Sequence, residues 1–429
     1  MSLQERRWNI EQCNRCHQCK ILPTVQSKAF SPMCPSMEYG QFHAYSGSGK
    51  LISAYALTEG RLPYTKETLD SITACSMCGA CDTACRVTNA DMVAPMDTLY
   101  ELRAKLFEDG QIPPEHRVML ERIEKQGNPW GKPHESRTSW AKGLGLVDAT
   151  RQPVDVLLHV GCGTAFDEAQ WPGLVWLAQT FKRQGLSFGT LGAQEPHAGG
   201  LAYDLGHQAL ARRCAEETLR RVRASGAHTV VTVDAESLAA FRNFYPRLGV
   251  RFDPVRVVHI TEFLEETGVH SAEPAEAAGT GAANLVTYHD PCRLGRLSEP
   301  YVPWQGEWKI VMNGLRVAEP PTPARFGLGG VYDAPRRLLQ SVPGTQLVEM
   351  ERRREFSYCC GAGAGGQEAH PEFAEQAARH RLDEAAATGA TTLVSSCASC
   401  VRHLGRVARQ HQPELRVISL IDHLKNASA

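Results

Sequence analysis

The chain places two adjacent thiols in a run of very small residues, Tyr358-Cys359-Cys360-Gly361-Ala362-Gly363, with Cys292 upstream and Cys397-Ala-Ser-Cys400 downstream. Cysteine is most often a small buried hydrophobe, but five thiols clustered in this way point to a soft metal. Thiolates select zinc or iron–sulfur clusters, and four of them already complete a tetrahedral zinc site or a cubane. A fifth argues for a larger or more open group. The glycines suit the same task, because a backbone without Cβ atoms can bring its N–H groups up to cluster sulfurs. Gly361, Gly363 and Gly366 also match the spacing of a dinucleotide loop, but the cysteines beside them favour a metal site.

Two further sets stand near the N-terminus. Cys13-x2-Cys16-x2-Cys19 is followed, after fourteen residues, by Cys34-Pro35, and Cys75-x2-Cys78-x2-Cys81-x3-Cys85 comes later. The second set has the spacing of bacterial ferredoxins, with Arg86 in place of their proline. In two-cluster ferredoxins the fourth cysteine of each run serves the other cluster. Carried over, one [4Fe-4S] cubane is expected on Cys13, Cys16, Cys19 and Cys85, and the other on Cys75, Cys78, Cys81 and Cys34. A pair of four-cysteine zinc sites is the alternative. His17 and His43 are read as surface or hydrogen-bonding residues, since the thiols already complete both sets.

The elements that must position these thiols fall into two classes. Helical patterns over 51–60, 66–73 and 96–108 surround the N-terminal sets, which predicts an α-helical two-cluster ferredoxin domain over residues 1–115. Ser46-Gly-Ser-Gly-Lys50 lacks the first glycine and the hydroxyl residue of a phosphate loop, so a turn and a helix start are expected there. Residues 116–152, rich in Pro, Gly and Trp, read as a connector. From Val154 short apolar strands alternate with helices, the mark of an α/β domain with a largely parallel sheet.

That α/β pattern runs over 153–270, meets a linker at 271–283, and restarts over 284–429. Gly226-Ala-His-Thr-Val-Val231 matches Gly389-Ala-Thr-Thr-Leu-Val394 at an offset of 163, which indicates an internal repeat. At that offset Cys397 and Cys400 fall on Asp234 and Ser237, and Cys359 and Cys360 on Pro196 and His197. Cys162 corresponds to Cys292 and is expected to be a buried relic, with Cys214 a core residue. The first copy is therefore degenerate and supports the second. The second carries about 33 extra residues, placed near 297–329, which are either a surface excursion or a lid or docking loop. Arg352-Arg-Arg354 reads either as an offset to cluster charge or as a solvated strand end, and the second is expected.

Bulk properties narrow the function classes. At 429 residues the chain has room for two or three domains, and a net charge of −1 predicts no nucleic-acid partner. The first residues show no apolar leader, and no apolar run approaches the roughly 20 residues of a spanning helix. A cytoplasmic protein is expected, peripheral to a membrane only through a partner. Fifteen cysteines in that setting read as metal or redox ligands and not as a disulfide frame.

Cys292, Cys359-Cys360-Gly361, Cys397 and Cys400 resemble the cysteine-rich CCG domain. That domain occurs in heterodisulfide reductases and in the iron–sulfur subunits of glycolate oxidase and anaerobic glycerol-3-phosphate dehydrogenase. The order of a two-cubane helical domain and two CCG copies resembles the heterodisulfide reductase D subunit over nearly the whole chain. The resemblance implies a non-cubane [4Fe-4S] cluster on the five cysteines of the second copy. It also implies an iron–sulfur electron-transfer subunit of an oxidoreductase complex, passing electrons between a flavoprotein and a quinone or other carrier. The implied partners are a flavoprotein dehydrogenase or electron-transfer flavoprotein, and a membrane quinone-reactive subunit. The catalytic heterodisulfide reductases carry two such clusters, whereas this chain has one intact motif and the insertion. The alternatives are a catalytic subunit that reduces a disulfide or similar two-electron acceptor at the CCG cluster, and a structural zinc protein. No bound flavin or nucleotide is expected, and no residue is assigned a catalytic role.

Overall fold

Short helices carry the two N-terminal thiol sets, in a computed structural model that describes residues 2–22, 25–89, 92–268, 284–312, 314–322, 325 and 327–428. Helix Gly47–Thr58 starts where Ser46 Oγ accepts the Gly49 N–H at 3.0 Å, the turn and helix start that the sequence predicts. Thr65 caps helix Lys66–Thr73 in the same way. Helix Pro95–Glu108 opens on proline and buries Leu99, Leu102 and Leu106 at helical spacing. The 116–152 segment is more structured than a connector needs to be. Helix Pro114–Gln126 runs into it and ends at Gly127 in the left-handed region, φ 64°. A 3₁₀ segment, His134–Ala141, follows.

Strand β1 (Val147–Asp148) then begins a sheet that β2 (Val156–His159), β3 (Phe188–Thr190), β4 (Thr229–Thr232) and β5 (Arg256–His259) complete. Every pairing is parallel, in the order β1-β3-β2-β4-β5. Residues 271–283, expected as a linker, lie outside the described residues. A second parallel sheet uses β6 (Asn284–His289), β9 (Thr345–Leu347), β10 (Thr392–Ser395) and β11 (Arg416–Ser419) in the order β11-β10-β6-β9. Omitting the β1 edge, the two sheets have the same strand order, and β4 and β10 sit at equivalent places. Between β6 and β9 the insertion forms an antiparallel hairpin, β7 (Glu307–Val311) with β8 (Leu315–Glu319), whose β7 residues are all exposed.

One apolar core links the parts. Tyr100 of the N-terminal domain packs on Tyr203 and Phe244 of the first α/β half, at ring separations of 4.9 and 5.6 Å. Among the described residues no helix is long and apolar enough to cross a membrane.

The solvated strand end expected at Arg352-Arg-Arg354 is not there. Arg352 is fully buried, stacks 4.0 Å over the Tyr358 ring and pairs with Glu384 at 3.0 Å. Helix Pro371–Ala387 supplies Glu384 from 32 residues downstream, a partner that a local charge run does not reveal. Arg353 alone of the three is exposed.

Candidate metal centres

The two Cys-x2-Cys-x2-Cys runs share one backbone device. In the first, Arg15 (φ 56°) and His17 (φ 69°) flank Cys16, and in the second Met77 (φ 49°) and Gly79 (φ 79°) flank Cys78. A side-chain-bearing residue in this region is strained and is held there only by its surroundings. The alternation curls each run so that its thiols and N–H groups turn toward one centre.

Cys13, Cys16, Cys19 and Cys85 line a single cavity, together with Ser48 and Asn89. Ser48 Oγ and Asn89 Nδ2 each lie 3.5 Å from a cavity sulfur, of Cys19 and Cys85 respectively. Cys34 lies in the electrostatic field of Cys75 and Cys78, and Cys81 in that of all three. The fold thus gathers each run's first three thiols with the fourth thiol of the other run. Gly47 makes this possible: a Cβ there would lie 2.8 Å from the Cys81 Cβ and 3.4 Å from the Cys19 Cβ. The positive end of helix Gly47–Thr58 therefore enters between the two sets.

Buried cations stand beside these thiols. Lys50 Nζ donates to Ser36 Oγ at 2.8 Å and draws the Cys34 thiol down, though burial dominates and pushes it up to about 12. Burial raises Cys85 to about 12 as well. Thiols this hard to ionise become thiolates when a metal binds them. Arg103 holds the second run in place by donating to the Thr73, Ile72 and Cys75 carbonyls at 3.0 to 3.3 Å.

The third site lies at the carboxyl ends of the second sheet, where an open parallel sheet binds its ligands. Cys292 follows β6, Cys359 and Cys360 lie on the loop after β9, and Cys397 caps the helix Ala398–His411 that carries Cys400. All five thiols are buried. Cys360 Sγ lies 3.3 Å from Cys400 Sγ, and the Gly361 N–H donates to Cys359 Sγ at 3.3 Å. Gly361 (φ 92°) admits no side chain, because a Cβ would lie 2.7 Å from the Ala374 carbonyl oxygen. His289, at the end of β6, brings a ring nitrogen within 4.8 Å of both Cys360 and Cys400 sulfurs. Its Nδ1 accepts from Arg381 Nε at 3.0 Å, so the ring proton sits on Nε2.

The N-terminal domain touches this third site directly. Ser76 Oγ lies 3.2 Å from Cys359 Sγ, and interaction with the Cys359 thiol holds Cys78 well below the ordinary thiol range. Arg296 clamps the junction, its Nε donating to the Cys78 carbonyl at 2.7 Å and its Nη1 to the Glu355 and Ser357 carbonyls at 2.8 Å. Soft donors in two groups of four and one of five, ringed by buried cations and inward N–H groups, fit iron–sulfur clusters.

The first half has an ion pair where the second has thiols. Arg137, from the segment expected as a connector, donates to Cys162 Sγ and to Glu195 Oε1, each at 3.0 Å. Glu195 also accepts the Val160 and Gly161 N–H groups at 2.9 Å. Asp234 caps the helix after β4 and takes the Ser237 hydroxyl at 2.7 Å. Cys162 is buried, and burial raises it to about 11. Cys214 is half-buried against the core. His17, exposed beside Lys20 (2.8 Å) and within ring contact of His43, also lines the cavity of the first thiol set. Ser76, His289, Arg296, Arg137 and Glu195 were not marked by the cysteine pattern. Only His289 had a local signal, as the strand-end residue of His289-Asp-Pro-Cys292.

Comparison with known proteins agrees with this geometry. Residues 9–89, which contain all eight N-terminal ligand candidates, match the 4Fe-4S dicluster domain family, and residues 323–405 match the CCG cysteine-rich domain family. The chain is 27% identical over 406 residues to the D subunit of the dihydromethanophenazine:CoB–CoM heterodisulfide reductase of Methanosarcina mazei, covering 92% of this chain and 88% of that one. It is 27% identical over 384 residues (87% of this chain) to the "Probable iron-sulfur-binding oxidoreductase FadF" of Bacillus subtilis. Identity to the EtfAB:quinone oxidoreductase of Syntrophomonas wolfei is 25% over 387 residues, or 83% of this chain. The chain spans about half the length of these last two relatives, 49% and 48%. Residues 9–89 and 323–405 thus carry the 4Fe-4S dicluster and CCG cysteine-rich matches of an iron–sulfur protein, and the chain is similar to the heterodisulfide reductase D subunit across most of its length.

Proposed function

We propose that the chain is the iron–sulfur electron-transfer subunit of a heterodisulfide-reductase-like oxidoreductase complex, working between a flavoprotein and a quinone or other carrier. In this reading Cys13, Cys16, Cys19 and Cys85 hold one [4Fe-4S] cubane, and Cys75, Cys78, Cys81 and Cys34 hold the other. Cys292, Cys359, Cys360, Cys397 and Cys400 hold a non-cubane four-iron cluster. When bound, such groups supply one-electron transfer at potentials tuned by burial and hydrogen bonds. The two α/β halves, with their shared strand order, are read as CCG repeats of which the first is degenerate. Pro196, His197, Asp234 and Ser237 stand at its former thiol positions, with the Arg137–Glu195 ion pair beside Cys162.

The observation that carries this reading is the contact between Cys78 and Cys359, which joins a ligand of one N-terminal set to a ligand of the CCG set. Arg296 fixes that contact, and Ser76 lines it. At the other end Cys16 is exposed, so the first set faces a partner, while the five CCG thiols are buried. This arrangement favours relay between protein surfaces over a substrate held at the thiols. The relatives named for heterodisulfide reductase and EtfAB:quinone oxidoreductase support a flavoprotein partner. A cytoplasmic placement, peripheral to a membrane through such a partner, belongs to the same reading. Iron and acid-labile sulfide of the anaerobically isolated chain test the assignment: three four-iron groups require about 12 of each per chain. About 8 iron with one zinc would hand the five-thiol site to zinc and end this reading.

A further inference from the structure

The insertion and the N-terminal domain line an open cleft of about 210 Å³ that none of the thiol sites uses. One wall is aromatic, with Trp304 and Trp308 at a ring separation of 5.4 Å and Tyr301 beside them. The facing wall is cationic. The Arg247 guanidinium stands 4.1 Å over the Tyr301 ring and that of Arg325 stands 5.2 Å from it. Asp97, the one carboxylate among the described lining residues, already takes Arg247 at 2.7 Å and Arg6 at 3.2 Å. Arg325 donates to the Glu299 carbonyl at 2.8 Å, yet its Nε is buried with no hydrogen-bond partner among the described residues, and the same holds for Arg6 Nε. Positive charge therefore exceeds negative in the cleft.

We propose that this cleft binds an organic anion carrying a flat conjugated ring, with the ring against Trp304 and Trp308 and the acidic group on Arg6 and Arg325. Planar guanidinium groups match carboxylate and phosphate geometry, and indole faces take conjugated rings in offset or tilted contact. Burial, aided by repulsion from Arg247, lowers the Arg325 pKa to about 10, the response of a cation short of counter-charge. Arg86, next to Cys85, also lines the cleft, so the ligand would lie alongside the first thiol set. The binding itself does not depend on what those thiols hold.

Equilibrium dialysis of the full-length chain, with its iron content measured in parallel, tests the site. Riboflavin 5′-phosphate serves as the probe, with riboflavin and inorganic phosphate as its two halves. Saturable one-to-one binding of the intact probe is expected, with each half weaker by about tenfold or more. Arg325→Gln and Trp304→Leu, on opposite walls, should each weaken the probe by about tenfold at unchanged iron content. Equal affinity for riboflavin would remove the anion from the proposal, and equal affinity for phosphate would remove the ring. Wild-type affinity in both variants would place binding elsewhere. A probe that does not saturate below about 1 mM overturns the site outright.

Discussion

Cys85 belongs to one run of thiols in the sequence and lines the cavity of the other in space. Cys85→Ser and Cys13→Ser should therefore abolish the same electron paramagnetic resonance signal, and Cys34→Ser should pair with Cys75→Ser. Common loss in Cys34→Ser and Cys13→Ser would refute the crossed pairing. The two CCG-like halves should respond unequally. Cys360→Ala should abolish turnover with the natural donor and acceptor while the N-terminal signals survive, since those ligands lie elsewhere. Cys162→Ala should leave every cluster signal in place. Its cost is the loss of two hydrogen bonds, one from Arg137, which keeps the Glu195 and Gly127 acceptors, and one from the thiol to the Gly127 carbonyl, so about 1–2 kcal/mol in denaturant melts is expected. A signal missing from that variant would make the first half a live site.

At the scale of elements, the loop after β9 and the helix Pro371–Ala387 fit together through Gly361. A Cβ there would meet the Ala374 carbonyl oxygen at 2.7 Å and the Ala377 Cβ at 2.8 Å, in a backbone conformation that side chains rarely adopt. Gly361→Ala should thus cost about 2–3 kcal/mol from strain and overpacking together. The displaced loop carries Cys359 and Cys360, so about four iron atoms per chain should be lost with it. Full iron content at unchanged stability would show that the loop shifts freely and that the close approach is not needed. The helices and strands around this loop were legible in the sequence, because their apolar periodicity is local. The left-handed turns at Arg15, His17 and Met77 were not, because those residue types resist that conformation and only the surrounding packing holds them there.

The molecule as a whole is coupled by a core that runs from the N-terminal helices into the first sheet, and it buries three histidines that titrate. Burial holds His116, His197 and His259 at about 3 in the folded chain, against about 6.5 when unfolded. With folded values depressed, the unfolded chain binds more protons between those limits. This stability is complete above about 6.5 and is lost as pH falls from there toward 3. Each histidine contributes a slope of up to about 1.4 kcal/mol per pH unit. His116 donates from Nε2 to the Gly365 carbonyl at 3.1 Å, and glutamine can replace that bond. Denaturant melts between pH 5 and 7.5 should show a His116→Gln slope shallower by about that single-histidine amount. An unchanged slope would mean that His116 accepts a proton while folded.

Thiol spacing by itself determined the three soft-metal ligand sets, and their resemblance to ferredoxin and CCG motifs pointed to iron–sulfur clusters, because ligand chemistry is written in residues a few positions apart. The alternation of short strands and helices determined the parallel α/β class for the same reason. Tertiary structure alone decided the contacts made across the chain. Ser76 and Cys359 meet although 283 residues separate them. Arg352 lies in the interior because Glu384 and Tyr358 receive it there, and the charge run around it looks the same either way. Arg137 and Glu195 stand against Cys162 in the first half, a substitution that no thiol count could show. Burial and pairing depend on which surfaces pack together, and packing joins residues whose sequence distance carries no trace of the contact.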